Sequence, residues 1–272
     1  MKLSERINSI PKKEIISAMI DELSISIAEH KKSYQKNYEK EIYLLDRIIT
    51  QYYLLSLIIK KPTNAKRSSA RALFSTQYLR TISNNFLVIK ELFISGLHIQ
   101  MQLIFRNQLE FVDNLIAFTG DDEFFDRFCT EESVKNFVFI SPKPIHSEKS
   151  LKKLMKEHNS DGFEDVWKLF KNIKDFMYKE LSQTTHGHVV KVALQTFGED
   201  INDKNILSPN SAGVMNPLPI TMGILRQCLN YFQITYSLIY IQLEKNSLLN
   251  AKNPLFDLTK YYFNNDDFIN DE

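Results

Sequence analysis

QMQLIFRNQLEFVDNLIAF, from Gln100 to Phe118, decides how the chain is read. Apolar side chains occur at almost every angle around it, as in a helix buried on most sides, and without the strict alternation of a half-buried strand. Arg106 and Glu110 stand one turn apart in its middle, and Gln102 and Asn114 extend the same four-residue row. An uncompensated ion among apolar side chains costs several kcal/mol, so the row predicts a paired polar cluster inside a helical interior.

A second stretch, YKELSQTTHGHVV from Tyr178, places Tyr178, Ser182 and His186 in another four-residue row. That row lies beside an apolar stripe of Val166, Trp167, Phe170, Ile173, Met177 and Leu181, continued by Thr185, Val189, Val192 and Ala193. Gly187 next to His186 weakens a helix by about 1 kcal/mol relative to alanine, which fits close approach of another backbone or a ligand.

Arg106, Glu110, Ser182 and His186 together form the candidate catalytic set. His186 serves as general base near neutral pH, Glu110 orients it, and Arg106 holds a phosphate or a developing negative charge. This combination suits phosphodiester chemistry without a metal. The alternative is structural: Arg106 and Glu110 pair across one turn and bridge neighbouring helices, and His186 donates to a buried carboxylate or carbonyl. Ser182 and His186 project from one row and face each other poorly as nucleophile and base. The run of arginine and histidine within one helix that marks the helical HEPN ribonucleases is absent. No histidine or carboxylate spacing suits a metal, so neither metal nor cofactor is expected.

Working outward, 7 glycines and 8 prolines are scarce punctuation for 272 residues. Long apolar periodic runs with so few turn residues predict an all-α fold, a single multi-helix bundle of about eight helices with no sheet. One helical domain over residues 1–272 is expected. It comprises N-terminal helices over 13–60, central core helices over 67–197, and a C-terminal helix over 218–245 with a frayed acidic tail, NNDDFINDE. Ile15, Ile16, Met19, Ile20, Leu23 and Ile27 mark an inward face near the start, and Leu73, Phe74 and Tyr78 mark another. Pro62 opens a loop, Ser83 to Asn85 read as a hinge or cap, and Gly120 reads as a left-handed helix stop followed by a cap at Asp121 or Asp122. SPKPIHSEKS reads as loop, Gly198 as a helix stop, and Glu199 to Asn216 as the longest loop.

A net charge of +1 gives no global field toward nucleic acid or acidic lipid. Locally, Arg67 and Arg71 share a helix face able to grip phosphate or simply to be solvated, and Lys149, Lys152, Lys153 and Lys156 form a basic helix face. Cys129 and Cys228 read as buried free thiols or as one disulfide. Polar residues recur through Ile220 to Leu243, and Asp46 and Arg47 interrupt Ile42 to Ile59, so no membrane span is expected. The charged N-terminal stretch is unlike a signal peptide, which makes the cytoplasm the expected location.

FRNQLEFVDNLIAFTGDDEFFDRF resembles the R-x-x-x-E helix and following Phe-rich helix of a bacterial family, domain of unknown function 5677. MYKELSQTTHGH resembles that family's later Tyr, Leu-Ser and His segment, so the likeness spans roughly Leu92 to Val192. The resemblance implies a helical fold and the cluster of Arg106, Glu110, Ser182 and His186, and it carries no established activity. By analogy it places the chain near bacterial conflict or phage-defence functions. Two readings follow. One is a defence or toxin effector acting on RNA, other nucleic acid or a nucleotide. The other is a non-catalytic interaction module, a homo-oligomer or protein-binding chain, in which the polar cluster is structural.

Overall fold

The computed structural model describes residues 15–61, 67–128, 144–158, 163–185, 197–199, 207–209 and 219–264. The fold is all-α, with nine helices among these residues. They are α1 Ile15–Asn37, α2 Glu39–Leu57, α3 Arg67–Ile94, α4 His98–Gly120, α5 Asp122–Phe128, α6 Pro144–His158, α7 Phe163–Thr185, α8 Pro219–Lys245 and α9 Phe256–Asn264. The only β pairing among the described residues is an antiparallel ribbon of β1 Phe197–Glu199 with β2 Leu207–Pro209, and a bridge between Ile59 and Leu249. Gly198, read as a helix stop, lies in β1 opposite Ser208.

Helices α2, α3 and α4 pack in sequence against one another, and α6 and α7 lie against α4. Helix α8 closes the bundle by touching α2, α4, α6 and α7. Its composition explains that position: Leu225, Cys228, Leu229, Tyr231, Phe232, Tyr236, Ile239 and Leu243 are all fully buried and together form one broad apolar face. The opposite face, through Arg226, Gln227, Asn230 and Ser237, is only partly buried. The helix therefore lays its broad apolar face across the others and keeps a polar strip toward water. Cys228 is one of these buried residues, and its thiol is free.

An aromatic ladder joins the layers. The Phe232 ring on α8 meets Phe86 on α3 edge-on at 4.8 Å and stacks on Phe105 of α4 at 6.2 Å. Tyr231 stacks on Phe170 of α7 at 5.2 Å, and Tyr52 of α2 stacks on Phe86 at 6.2 Å. These separations lie in the range where ring quadrupoles add to simple area burial.

Several local expectations are corrected. Helix α3 runs unbroken through Ser83 to Asn85, because those polar groups bond sideways. Ser83 Oγ donates to the Ile49 carbonyl at 3.0 Å, and Asn85 Nδ2 donates to Gln108 Oε1 at 3.0 Å. The break comes instead at Gly96, whose φ of 71° needs a residue without Cβ, and it separates α3 from α4. Pro144 opens α6 rather than sitting in a loop, since a first-turn proline forfeits no helical hydrogen bond. Asp121 does cap α5, with its Oδ1 accepting from Phe124 N at 3.1 Å. Ile20, Leu23, Leu73 and Val166, all read as inward, are exposed at 58, 40, 47 and 44 %. Among the described residues no helix is long and apolar enough to cross a membrane.

Candidate functional site

The two stretches that nominate the site do meet. Helices α4 and α7 run antiparallel, with low numbers of one facing high numbers of the other. Their contact carries a ladder of polar rungs. At one end Thr184 Oγ1 donates to Gln102 Oε1 at 2.7 Å, with both residues buried. In the middle Arg106 Nε donates to Ser182 Oγ at 3.2 Å, and Arg106 Nη1 lies 2.8 Å from Glu110 Oε1. The same guanidinium sits over the Tyr178 ring, with Cζ 4.5 Å from its centroid. Arg106 therefore touches three of its neighbours at once.

The next rung carries a buried ion pair, Lys174 with Asp113, that was not singled out from the sequence. Asp113 Oδ1 accepts from Lys174 Nζ at 2.9 Å, and Asp113 Oδ2 accepts from Tyr178 Oη at 2.5 Å. The side chains of Lys174 and Asp113 are 3 and 7 % exposed. Burial first, then the Asp113 charge and the hydrogen bond to it, push the Tyr178 phenol well above its ordinary value. Tyr178 is thus a firm donor at neutral pH and cannot take a proton from a substrate. A signal for this rung existed: Lys174 begins the row Lys174, Tyr178, Ser182, and Asp113 stands seven residues after Arg106 on the same side of α4.

Of the proposed set, Arg106, Glu110 and Ser182 are brought together, and His186 lies outside the described residues. Glu110 points toward water with its side chain 57 % exposed, against 19 % for Arg106. The pair therefore occupies the rim of the α4–α7 contact rather than the enclosed interior expected of it. Asn114, placed in the same row, is buried and makes none of these contacts. The row was right in spacing and wrong in facing, because four-residue steps drift around a helix of about 3.6 residues per turn.

Electrostatically the seam is closed. Among the described residues of the seam, Arg106 is paired with Glu110 and Lys174 with Asp113, so each of these two cations already has a carboxylate beside it. Ser182 Oγ accepts from Arg106, a contact that stabilises the hydroxyl without drawing off its proton. Among the described residues no group of three or more His, Cys, Asp or Glu is placed to hold a metal ion. A cavity near Lys60 and Arg80 and another near Arg71 and Ser150 are both lined by residues other than Arg106, Glu110 and Ser182. A scan of family models, a search of curated proteins and a search of solved structures each returned no match to the chain.

Proposed function

We propose that the chain is a non-catalytic interaction or oligomerisation module whose α4–α7 seam fixes helix register. The observation that carries this reading is the engagement of Arg106. Phosphodiester chemistry would require that guanidinium to face a substrate, and here it is occupied by Glu110, Ser182 and the Tyr178 ring. A buried ion pair such as Lys174–Asp113 contributes little net stability compared with apolar residues of the same size. Its best-attested use is to penalise every register that leaves one partner alone.

The test sets the wild type beside Arg106→Ala, Ser182→Ala and His186→Ala, all expressed in cells, with growth and total RNA integrity as readouts. Circular dichroism melts of the purified chains run in parallel. All four are expected to leave RNA intact, with Arg106→Ala melting earlier by the equivalent of about 1–2 kcal/mol from its lost hydrogen bond and cation–π contact. RNA cleavage by the wild type that disappears in a folded Arg106→Ala or His186→Ala variant would replace this reading with the effector one. Light scattering after gel filtration then reports whether the wild type associates with itself.

A further inference from the structure

Away from the seam, a small cleft opens where the start of α3, the ends of α4 and α8, and the face of α6 converge. We propose that this cleft binds a phosphate group. Its volume is about 130 Å³, well below the ~300 Å³ at which pockets begin to enclose whole cofactors. It admits a tetrahedral oxyanion and leaves the remainder of any larger molecule outside.

Two polar side chains in its wall are buried beyond nine-tenths. Ser150 is 6 % exposed and Gln242 5 %, and neither Ser150 Oγ nor Gln242 Oε1 has a hydrogen-bond partner among the described residues. A third group, the buried Nε of Arg71, is likewise unpartnered. Leaving such groups unsatisfied costs about 1–3 kcal/mol each. Three converging on one cleft is the pattern of a site built around a polar occupant.

The charges point to an anion. Arg71, Lys153 and Lys245 line the cleft together with two carboxylates, Asp122 and Glu157, so one positive charge is left over. Arg71 sits over the Phe125 ring, its Cζ 4.5 Å from the centroid, while its Nη2 donates to Asp122 Oδ1 at 2.5 Å. Lys245 pairs with Glu157. Lys153 has no hydrogen-bond or ion-pair partner among the described residues. The Asp122 and Glu157 side chains are 75 and 38 % exposed and can turn to water without desolvation, whereas the Arg71 side chain, at 11 %, cannot.

In the occupied state Arg71, Lys153 and the Ser150 hydroxyl donate to phosphate oxygens, and Gln242 Oε1 accepts from the Lys153 ammonium. Gly120 keeps the floor open. A Cβ there would stand 2.7 Å from Ser150 Cβ and 2.9 Å from its Oγ.

Calorimetric titration of the full chain with inorganic phosphate, and separately with adenosine monophosphate, at constant ionic strength set by sodium chloride, tests the site. Lys153→Gln and Ser150→Ala serve as variants, each checked for an unchanged melt. Binding of either compound by the wild type, weakened about tenfold or more in a folded variant, is the expected result. Tighter binding of the nucleotide identifies a phosphate monoester as the occupant; binding of phosphate alone identifies the free ion. No binding of either, or an affinity that neither variant changes, overturns the proposal.

Discussion

Asp113 holds two donors from α7 on one carboxylate, and its loss leaves the Lys174 ammonium buried without a counterion. Removing one partner of such a pair typically costs about 3–5 kcal/mol, whereas replacing both with apolar residues of similar volume is near neutral or stabilising. Asp113→Ala is therefore expected to lose about 3–5 kcal/mol in urea unfolding, and the double variant Asp113→Leu, Lys174→Met to recover most of it. A single-variant loss below ~1 kcal/mol would mean that the pair is hydrated in solution. Why Arg106 was legible and Asp113 was not follows from the same physics. An arginine with a glutamate one turn on is a visible pair on one helix, whereas Asp113 finds its partners 61 and 65 residues away. Only the packing of α4 on α7 brings them into register.

Helix boundaries were legible where the chain carries its own chemistry and illegible where a neighbour supplies it. Asp121 caps α5 with its own carboxylate, and the sequence shows as much. The run Ser83 to Asn85 looks like a break, yet Ile49 on α2 and Gln108 on α4 satisfy Ser83 and Asn85 from outside the helix. Gly120 is the sharpest instance. It ends α4 as expected, but its backbone is not left-handed; its small size is what α8 and α6 require. A Cβ at Gly120 would lie 1.8 Å from Gln242 Nε2 and 2.7 Å from Ser150 Cβ. Alanine exceeds glycine in helix propensity by about 1 kcal/mol, so the outcome of Gly120→Ala is a contest of opposite signs. Overpacking of about 1–3 kcal/mol is expected to win and lower the melting temperature. Gly223 in α8 is the control, because a Cβ there meets nothing within 4 Å. Gly223→Ala is expected to stabilise by about 0.5–1 kcal/mol. Two glycine substitutions that both raise the melt would show that crowding at Gly120 is relieved by rotation of Gln242 together with a small shift of α6 at Ser150.

At the scale of the whole molecule, local periodicity identified α8 as apolar but could not make it the centre, since centrality depends on which helices find it. Tyr52 and Tyr231 record that convergence: both are fully buried, one reaching α8 from α2 and the other reaching α7 from α8. Tyr52 Oη donates to the Phe232 carbonyl at 2.9 Å, while Tyr231 Oη has no hydrogen-bond partner among the described residues. Burial raises both phenols well above their ordinary value, with the Thr235 hydrogen bond opposing it slightly at Tyr52 and the Asp113 charge adding to it at Tyr231. A folded-state pKa above the unfolded one leaves stability intact below about pH 10 and erodes it above, because only the unfolded chain then releases the proton. Stability is expected to be level in this respect between about pH 8 and 9. Above about pH 10 it falls by roughly 1.4 kcal/mol per pH unit for each tyrosine held neutral. Urea melts of two variants across that range separate the contributions. Tyr231→Phe discards an unpartnered hydroxyl, so it should be neutral or stabilising near pH 8 and should make the alkaline decline shallower. Tyr52→Phe should cost about 1 kcal/mol near pH 8 through its lost hydrogen bond, with a similar flattening above. An unchanged alkaline slope in both variants would mean that these phenols titrate while the bundle is still folded, and that its centre opens to water before the helices part.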